Sequence, residues 1–163
     1  MRVGVVAVGN RFAGDDAAGP LVLDAVRDDL PAGVVARELD GEPARLLDAW
    51  DGLDAVVVVD AASSGEPVGT VHRLAVEPRG PSGIGPGPPG RRRSSHGAGV
   101  AEALGLGRLL GRLPGEVVVV GVEGARFSAG TTLSRAVAAA LPGAAAVVRD
   151  EVGRLTGAPG RCA

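Results

Sequence analysis

Valine-rich runs alternate with segments of helical spacing along almost the whole chain. A short continuous apolar run bounded by turn residues is typical of a buried strand, whereas apolar residues three or four positions apart indicate an amphipathic helix. The run at 54–60 contains four consecutive valines, which favours a strand covered on both faces. Residues 69–77 alternate apolar and polar side chains, and this pattern predicts an edge or antiparallel strand. Further strands are predicted at 2–8, 34–39 and 116–122, and helices at 17–30, 43–50, 96–112 and 132–155.

Capping and helix-breaking residues mark the ends of several predicted helices. Asp15 or Asp16 is available as the N-cap of the first helix. Pro43 stands near the first position of the second helix, where its missing N–H costs no intrahelical hydrogen bond. Pro142 and Gly143 predict an interruption of the last helix, because a proline ring clashes with the preceding turn and cannot donate a hydrogen bond.

The order of these elements predicts the fold class. Strands that alternate with helices imply crossover connections, and so an α/β three-layer sandwich with a twisted, mostly parallel central sheet. We expect one domain over residues 1–155. The Pro/Gly/Arg-rich segment 78–95 is predicted to be a flexible loop, and residues 156–163 a frayed tail.

Composition and charge exclude several classes of protein. The chain has 163 residues, and 17 basic residues against 19 acidic ones give a formal net charge of −2, which disfavours a nucleic-acid-binding protein. The one cysteine, Cys162, cannot form an intramolecular disulfide or a cysteine-based metal cluster. The apolar start of the chain is too short for a signal peptide, and no later run is long enough to span a membrane. We therefore expect a cytoplasmic protein with no membrane partner.

Acidic side chains and one imidazole follow the predicted strands. Because ligands in open α/β sheets bind beyond the carboxyl ends of the strands, these residues are expected at one edge of the sheet. Carboxylates gathered there repel one another unless a cation or a shared proton compensates. Two carboxylates and an imidazole suit a divalent metal such as zinc, nickel, manganese or iron. The residues concerned are Asn10, Asp15, Asp16, Asp40, Glu42, Asp60, His96 and Glu123.

Each of these residues also has an interpretation without metal chemistry. Asp15 or Asp16 can cap a helix, and Asp60 can close a loop through a side-chain turn. His96 can be an ordinary residue at a helix start, and Glu123 a charged loop residue. His72 lies in the middle of a predicted strand, where we expect a surface position.

Several motifs together resemble the hydrogenase maturation endopeptidases. VGNRFAGDDAAG at 8–19 is similar to the N-terminal signature of that family, and VVVVDAASSG at 56–65 to its motif of a strand-ending aspartate. SSHGAGVAEAL at 94–104 resembles its motif of a histidine at a helix start. LDGEP at 39–43 and VGVEGARFSAGTTLSRAV at 120–137 resemble two further family segments, so that the resemblance extends over roughly residues 2–155.

The resemblance implies a function and a ligand set. Members of the family remove a short C-terminal extension from the large subunit of [NiFe] hydrogenase after nickel insertion. Carried over by motif, Asp16, Asp60 and His96 are the expected nickel ligands, and Asn10, Asp15 and Glu123 support the loops around them. The resemblance further implies that a large-subunit precursor is the partner.

The source of the metal and the residue that assists cleavage are two further predictions. We expect the nickel to be carried mainly by the substrate, while zinc or cadmium can occupy the same ligands, and we expect the protein to be a monomer. Asp40, which follows the second predicted strand, is the candidate general base or water positioner. Its alternative is a turn-forming aspartate before Gly41.

Two other functions share parts of this pattern. A phosphoryl-receiver signalling domain also has an acidic pair after its first strand, but it needs a lysine after its fifth strand, and the chain contains no lysine. A non-catalytic metal-sensing chaperone for the hydrogenase subunit would use the same ligands. No catalytic serine or cysteine arrangement and no HExxH motif is visible, so the sequence does not separate the chaperone from a protease.

Overall fold

A computed structural model describes residues 1–78 and 95–157, and from 95 to 98 it describes the backbone alone. Most of the predicted loop at 78–95, including Arg91 to Ser94, and most of the predicted tail therefore lie outside the described residues. The five strands are β1 (Val3–Val8), β2 (Val35–Leu39), β3 (Ala55–Ala62), β4 (Val71–Val76) and β5 (Glu116–Glu123). The four α-helices are α1 (Ala18–Val26), α2 (Pro43–Trp50), α3 (Ser95–Leu110) and α4 (Arg135–Thr156).

The strands form one sheet in the order β2-β1-β3-β5-β4. β1, β2, β3 and β5 run parallel to one another, whereas β4 pairs with β5 in the antiparallel sense and lies at the edge. The predicted α/β class, with its mostly parallel sheet, is confirmed. The chain moves from β1 outward to β2 and then returns to the other side of β1 at β3, so the sheet has a switch point between β1 and β3.

Alternation along the strands divides the core into two clusters. In β3, Val57 and Val59 face α1 and α4, whereas Val56 and Val58 face α2 and α3. All four are fully buried, as expected of a valine run covered on both faces. This alternation assigns the next residue, Asp60, to the side of α2 and α3.

The start of the first helix differs from the prediction, whereas the start of the second agrees with it. α1 begins at Ala18, after a 3-10 turn at Gly14–Ala17, and no side chain caps it, so the expected cap by Asp15 or Asp16 is wrong. Both aspartates lie within the 3-10 turn and accept hydrogen bonds elsewhere. The second helix begins with Pro43 as predicted, and the Glu42 carboxylate accepts hydrogen bonds from two main-chain N–H groups of its first turn.

The predicted interruption of the last helix is also wrong. α4 runs continuously through Pro142, and it extends to Thr156, which was predicted to begin the tail. Its apolar stripe packs against the sheet and α1, and this burial offsets the roughly 3 kcal/mol that an interior proline costs. No helix among residues 1–78 and 95–157 is long and apolar enough to cross a membrane.

Candidate functional site

Two buried aspartates mark the switch point of the sheet. Asp16 lies in the 3-10 turn that follows β1, and Asp60 lies two residues before the end of β3. Gly9, at the end of β1, allows the backbone of Asp16 to come close to the strand. Its φ is +148°, and a Cβ there would stand 1.9 Å from the carbonyl oxygen of Asp16. The main-chain N–H of Asn10 then donates a 2.8 Å hydrogen bond to the Asp16 carboxylate.

The Asp60 carboxylate has an unfavourable environment for its charge. Its side chain is buried, and burial raises the pKa of Asp60 well above its ordinary value. The negative charge of Asp16 raises that pKa further, while the 2.8 Å hydrogen bond from the Ala61 N–H opposes the shift. Because the two negative charges repel each other, a proton or a cation shared between the carboxylates would stabilise them.

Asp15, although adjacent to Asp16, points to a different part of the molecule. Its Oδ2 accepts hydrogen bonds from the N–H groups of Ala125 and Arg126 and from the Ser134 hydroxyl, and its Oδ1 from the Ser134 N–H. Burial would raise the pKa of Asp15, but these hydrogen bonds outweigh it and hold the pKa below its ordinary value. Asp15 thus fastens the loop between β5 and α4 to the segment that carries Asp16.

Glu123 makes a similar connection at the end of β5. Its Oε1 accepts hydrogen bonds from the N–H groups of Ser64 and Gly65, at 2.5 and 2.9 Å. Its Oε2 contacts the Ser64 hydroxyl and His72 Nε2, both at 3.0 Å. Burial would raise the pKa of Glu123, but these hydrogen bonds lower it. His72 lies on the edge strand with 35% of its side chain exposed, in keeping with the predicted surface position, and it is also hydrogen-bonded to Glu123.

Asp40 is exposed in the turn between β2 and α2. Its Oδ2 pairs with Arg45 at 2.8 Å, and its Oδ1 accepts a 3.3 Å hydrogen bond from the N–H of Glu42. Gly41 between them has a φ of +88°, which suits glycine. This geometry is that of a turn-forming aspartate, and the carboxylate remains open to solvent.

The N-terminal part of α3 lies against this turn at Gly99. A Cβ on Gly99 would stand 2.1 Å from the carbonyl oxygen of Gly41, so the two backbones are in direct contact. His96 is one turn earlier in the helix, and its side chain is outside the described part of the structure. Asp60 faces the same layer of the sandwich as α3, as the alternation along β3 requires.

The capacity of the site for metal depends on these positions. Among the side chains that the structure describes, no group of three or more His, Cys, Asp or Glu residues could hold a metal ion. What they provide is the pair formed by Asp16 and Asp60, a hard-oxygen donor set whose mutual repulsion a divalent cation would relieve.

Comparison with known proteins decides the family. The sequence profile of the hydrogenase maturation protease family, HycI, matches residues 39–151, more than half of the chain. The chain belongs to the hydrogenase maturation protease family. No curated protein sequence is significantly similar to it.

Solved structures of family members have the same fold. The hydrogenase maturating endopeptidase HybD from E. coli is 27% identical, with a TM-score of 0.75 over 96% of this chain and 94% of HybD. The hydrogenase 2 maturation peptidase from Thaumarchaeota archaeon SCGC_AB-539-E09 is 28% identical, with a TM-score of 0.66 over 94% and 99% of the two chains. The [NiFe] hydrogenase maturation protease HybD from Thermococcus kodakarensis shares the fold. It is 24% identical, with a TM-score of 0.70 over 93% of this chain and 99% of that protein. The prediction of a peptidase is confirmed.

Sequence reasoning missed the partners that hold the carboxylates of the candidate site. The hydroxyl of Ser134 donates a hydrogen bond to the Asp15 carboxylate, and that of Ser64 donates one to Glu123. Arg11 binds two further carboxylates. A serine that begins a helix, as Ser134 does, is the one signal in the sequence that could have suggested such a role.

Proposed function

We propose that this protein is an endopeptidase that removes the C-terminal extension of a [NiFe] hydrogenase large-subunit precursor after nickel insertion. The nickel belongs to the substrate and serves as the recognition element. Asp16, Asp60 and His96 are the groups that it meets on this protein.

The buried pair of Asp16 and Asp60 carries this proposal. Burial first, and the charge of Asp16 second, raise the pKa of Asp60, so the charged pair costs stability, and perturbed carboxylates of this kind are common at functional sites. A divalent cation delivered by the substrate removes the repulsion and gains two oxygen ligands. His96 belongs to the first turn of α3, a helix that packs in the layer that Asp60 faces, and a neutral imidazole suits nickel and also zinc or cadmium.

Nickel bound in this way would act mainly by positioning. A precursor that shares its metal with the site holds the adjacent peptide in one orientation, and fixed orientation lowers the barrier to cleavage by several kcal/mol. Precursor without nickel lacks that contact and is expected to remain uncut.

The decisive experiment compares nickel-loaded and nickel-free precursor, each incubated with the wild-type protein and with single variants. We expect shortening of the nickel-loaded precursor alone. Asp16→Ala, Asp60→Asn and His96→Ala should each abolish it while the variants remain folded. Asp48→Asn is the control, since that carboxylate is exposed on α2 and belongs to the opposite end of the molecule from the site.

Two outcomes would contradict the proposal. Equal cleavage of nickel-loaded and nickel-free precursor would refute nickel recognition. Tight binding of the nickel-loaded precursor without any shortening would favour the metal-sensing chaperone instead.

Asp40 is our candidate for the general base or water positioner, because it is the exposed carboxylate at the neighbouring strand end. Asp40→Asn separates this role from the turn. An asparagine retains the side-chain oxygen that accepts the hydrogen bond from Glu42, but it cannot take up a proton. We expect this variant to bind precursor normally and to lose cleavage. Full activity would assign Asp40 to the turn alone.

A further inference from the structure

The loop that follows β1 presents an aromatic side chain to solvent. The chain has two phenylalanines. Phe127 packs against the core cluster beneath α4, whereas Phe12 is 79% exposed. A partner that covers this ring beside the candidate site would remove its apolar surface from water, which is favourable.

The backbone at Phe12 is held from both sides. Its N–H donates a 2.9 Å hydrogen bond to the Asn10 side chain, and its carbonyl oxygen accepts a 2.7 Å hydrogen bond from the Gly130 N–H. The exposure of this aromatic ring is therefore a property of an ordered loop, and little conformational entropy remains to be lost when a partner covers it.

The neighbouring Arg11 fixes the same loop to two other elements. Its guanidinium binds both oxygens of Asp24 on α1, at 2.7 and 2.9 Å, and both oxygens of Glu38 on β2, at 2.8 and 2.7 Å. Paired bidentate contacts of this kind impose direction as well as strength. Arg11 is thereby occupied on the protein itself, while the next side chain along points outward.

Phe12 is continuous with the carboxylate pair. Asn10 donates its main-chain N–H to the Asp16 carboxylate and accepts the Phe12 N–H with its side chain, so one residue connects the two. A macromolecule whose metal reaches Asp16 must lie against this loop.

From this connection, and resting on the function proposed above, we propose that Phe12 is the apolar anchor by which the protein docks the folded, nickel-loaded precursor. The ring inserts into an apolar pocket of the precursor beside its metal site, while Asp16 and Asp60 meet the metal. Phe12 thus contributes to substrate selection and is not a catalytic residue. Central aromatic residues on ordered loops are typical energetic anchors of protein interfaces.

Binding and cleavage of the nickel-loaded precursor test this proposal with Phe12→Ala, Phe12→Leu and Leu109→Ala. Leu109 is a matched control, because it is 87% exposed in the last turn of α3, the end of that helix away from Gly41. For Phe12→Ala we expect the Kd and KM for precursor to rise roughly ten- to a hundredfold, while kcat stays unchanged. Phe12→Leu should restore most of the affinity, and Leu109→Ala should match the wild type.

Three results would overturn the proposal. Equal precursor Kd for Phe12→Ala and wild type refutes the anchor, whether or not cleavage occurs. An equal loss for Leu109→Ala would point to nonspecific apolar adhesion. A change of oligomeric state with Phe12→Ala in size-exclusion chromatography would assign the ring to a contact between two copies of this chain. Failure of the wild type to shorten the precursor refutes the proposed function separately, since the binding measurement does not depend on cleavage.

Discussion

Asp15 and Glu123 are both buried and each accepts four hydrogen bonds, yet their amide variants should differ sharply in stability. Both oxygens of Asp15 accept main-chain N–H groups. In Asp15→Asn, one side of the amide must therefore point an N–H at another N–H. Only one oxygen of Glu123 has main-chain donors, and the other faces the Ser64 hydroxyl and His72 Nε2. A hydroxyl and a neutral imidazole can both turn to accept a hydrogen bond from an amide.

The magnitudes follow from these contacts. In the better of its two orientations, Asp15→Asn retains the three hydrogen bonds accepted by Oδ2, loses the one from the Ser134 main-chain N–H to Oδ1, and leaves a buried N–H unsatisfied. A lost hydrogen bond to a charged group and a buried unsatisfied donor together cost about 3 kcal/mol. Glu123→Gln retains a partner at every position and loses only the charge, for which we expect about 1 kcal/mol. A domain with roughly 5–15 kcal/mol of total stability would show this difference clearly.

Urea unfolding at neutral pH is the appropriate assay. Trp50 is the single tryptophan and is buried, so its fluorescence reports the transition. With a slope near 2 kcal/mol per molar, the midpoint should fall by about 1.5 M for Asp15→Asn and by about 0.5 M for Glu123→Gln. Asp48→Asn controls for the loss of an exposed charge. Equal midpoint shifts for the two buried variants would show that the number of N–H donors does not determine the cost.

Other perturbations test the remaining parts of the structure. Asp60→Asn should raise the urea midpoint at neutral pH, because it removes a buried charge whose pKa is raised by burial and by Asp16; an unchanged or lower midpoint would contradict that electrostatic picture. The pKa of Glu151 is lowered chiefly by the hydrogen bond from Arg73. The Glu151 carboxylate therefore contributes stability above the unfolded-state pKa of about 4.3, and this contribution is lost as the pH falls further. In urea titrations at different pH values, Glu151→Gln should accordingly show a weaker loss of stability on the acid side. Gly99→Ala should lower both the melting temperature and precursor cleavage, because its Cβ would collide with the Gly41 carbonyl, whereas Gly105→Ala in the same helix meets nothing within 4 Å and should stabilise by about 0.5–1 kcal/mol. Identical melting shifts for the two glycine variants would refute the close approach of α3.

The sequence by itself determines the local elements and the fold class. A run of consecutive valines predicts a buried strand at any position in the chain, because a strand covered on both faces is built from consecutive apolar residues. The predicted positions of β1, β3 and β5, and the start of α2 at Pro43, therefore agree with the structure to within about two residues. The motifs that suggested the family are likewise local, since they concern residues within a few positions of each other.

The role of each acidic residue depends on partners that are distant in the chain. Asp15 and Asp16 are adjacent and chemically identical, yet the first binds Ser134 and the second faces Asp60. Glu123 and His72 are likewise brought together only by the antiparallel pairing of β4 with β5. No local pattern distinguishes a carboxylate that holds a loop from one that meets a metal.

Tertiary packing also determined the local structure at positions where the residue type alone predicts it wrongly. Proline inside α4 should break an isolated helix, but the buried stripe on either side of it stabilises the helix by more than the proline costs. The exposure of Phe12 is likewise not visible in the sequence, because the hydrogen bond from the Gly130 N–H to the Phe12 carbonyl forms only when the loops after β1 and β5 lie side by side. The sequence determines which segments bury apolar surface, and only the folded chain decides which polar groups meet, because many of those contacts join distant residues, such as Asp15 and Ser134 at a separation of 119 positions.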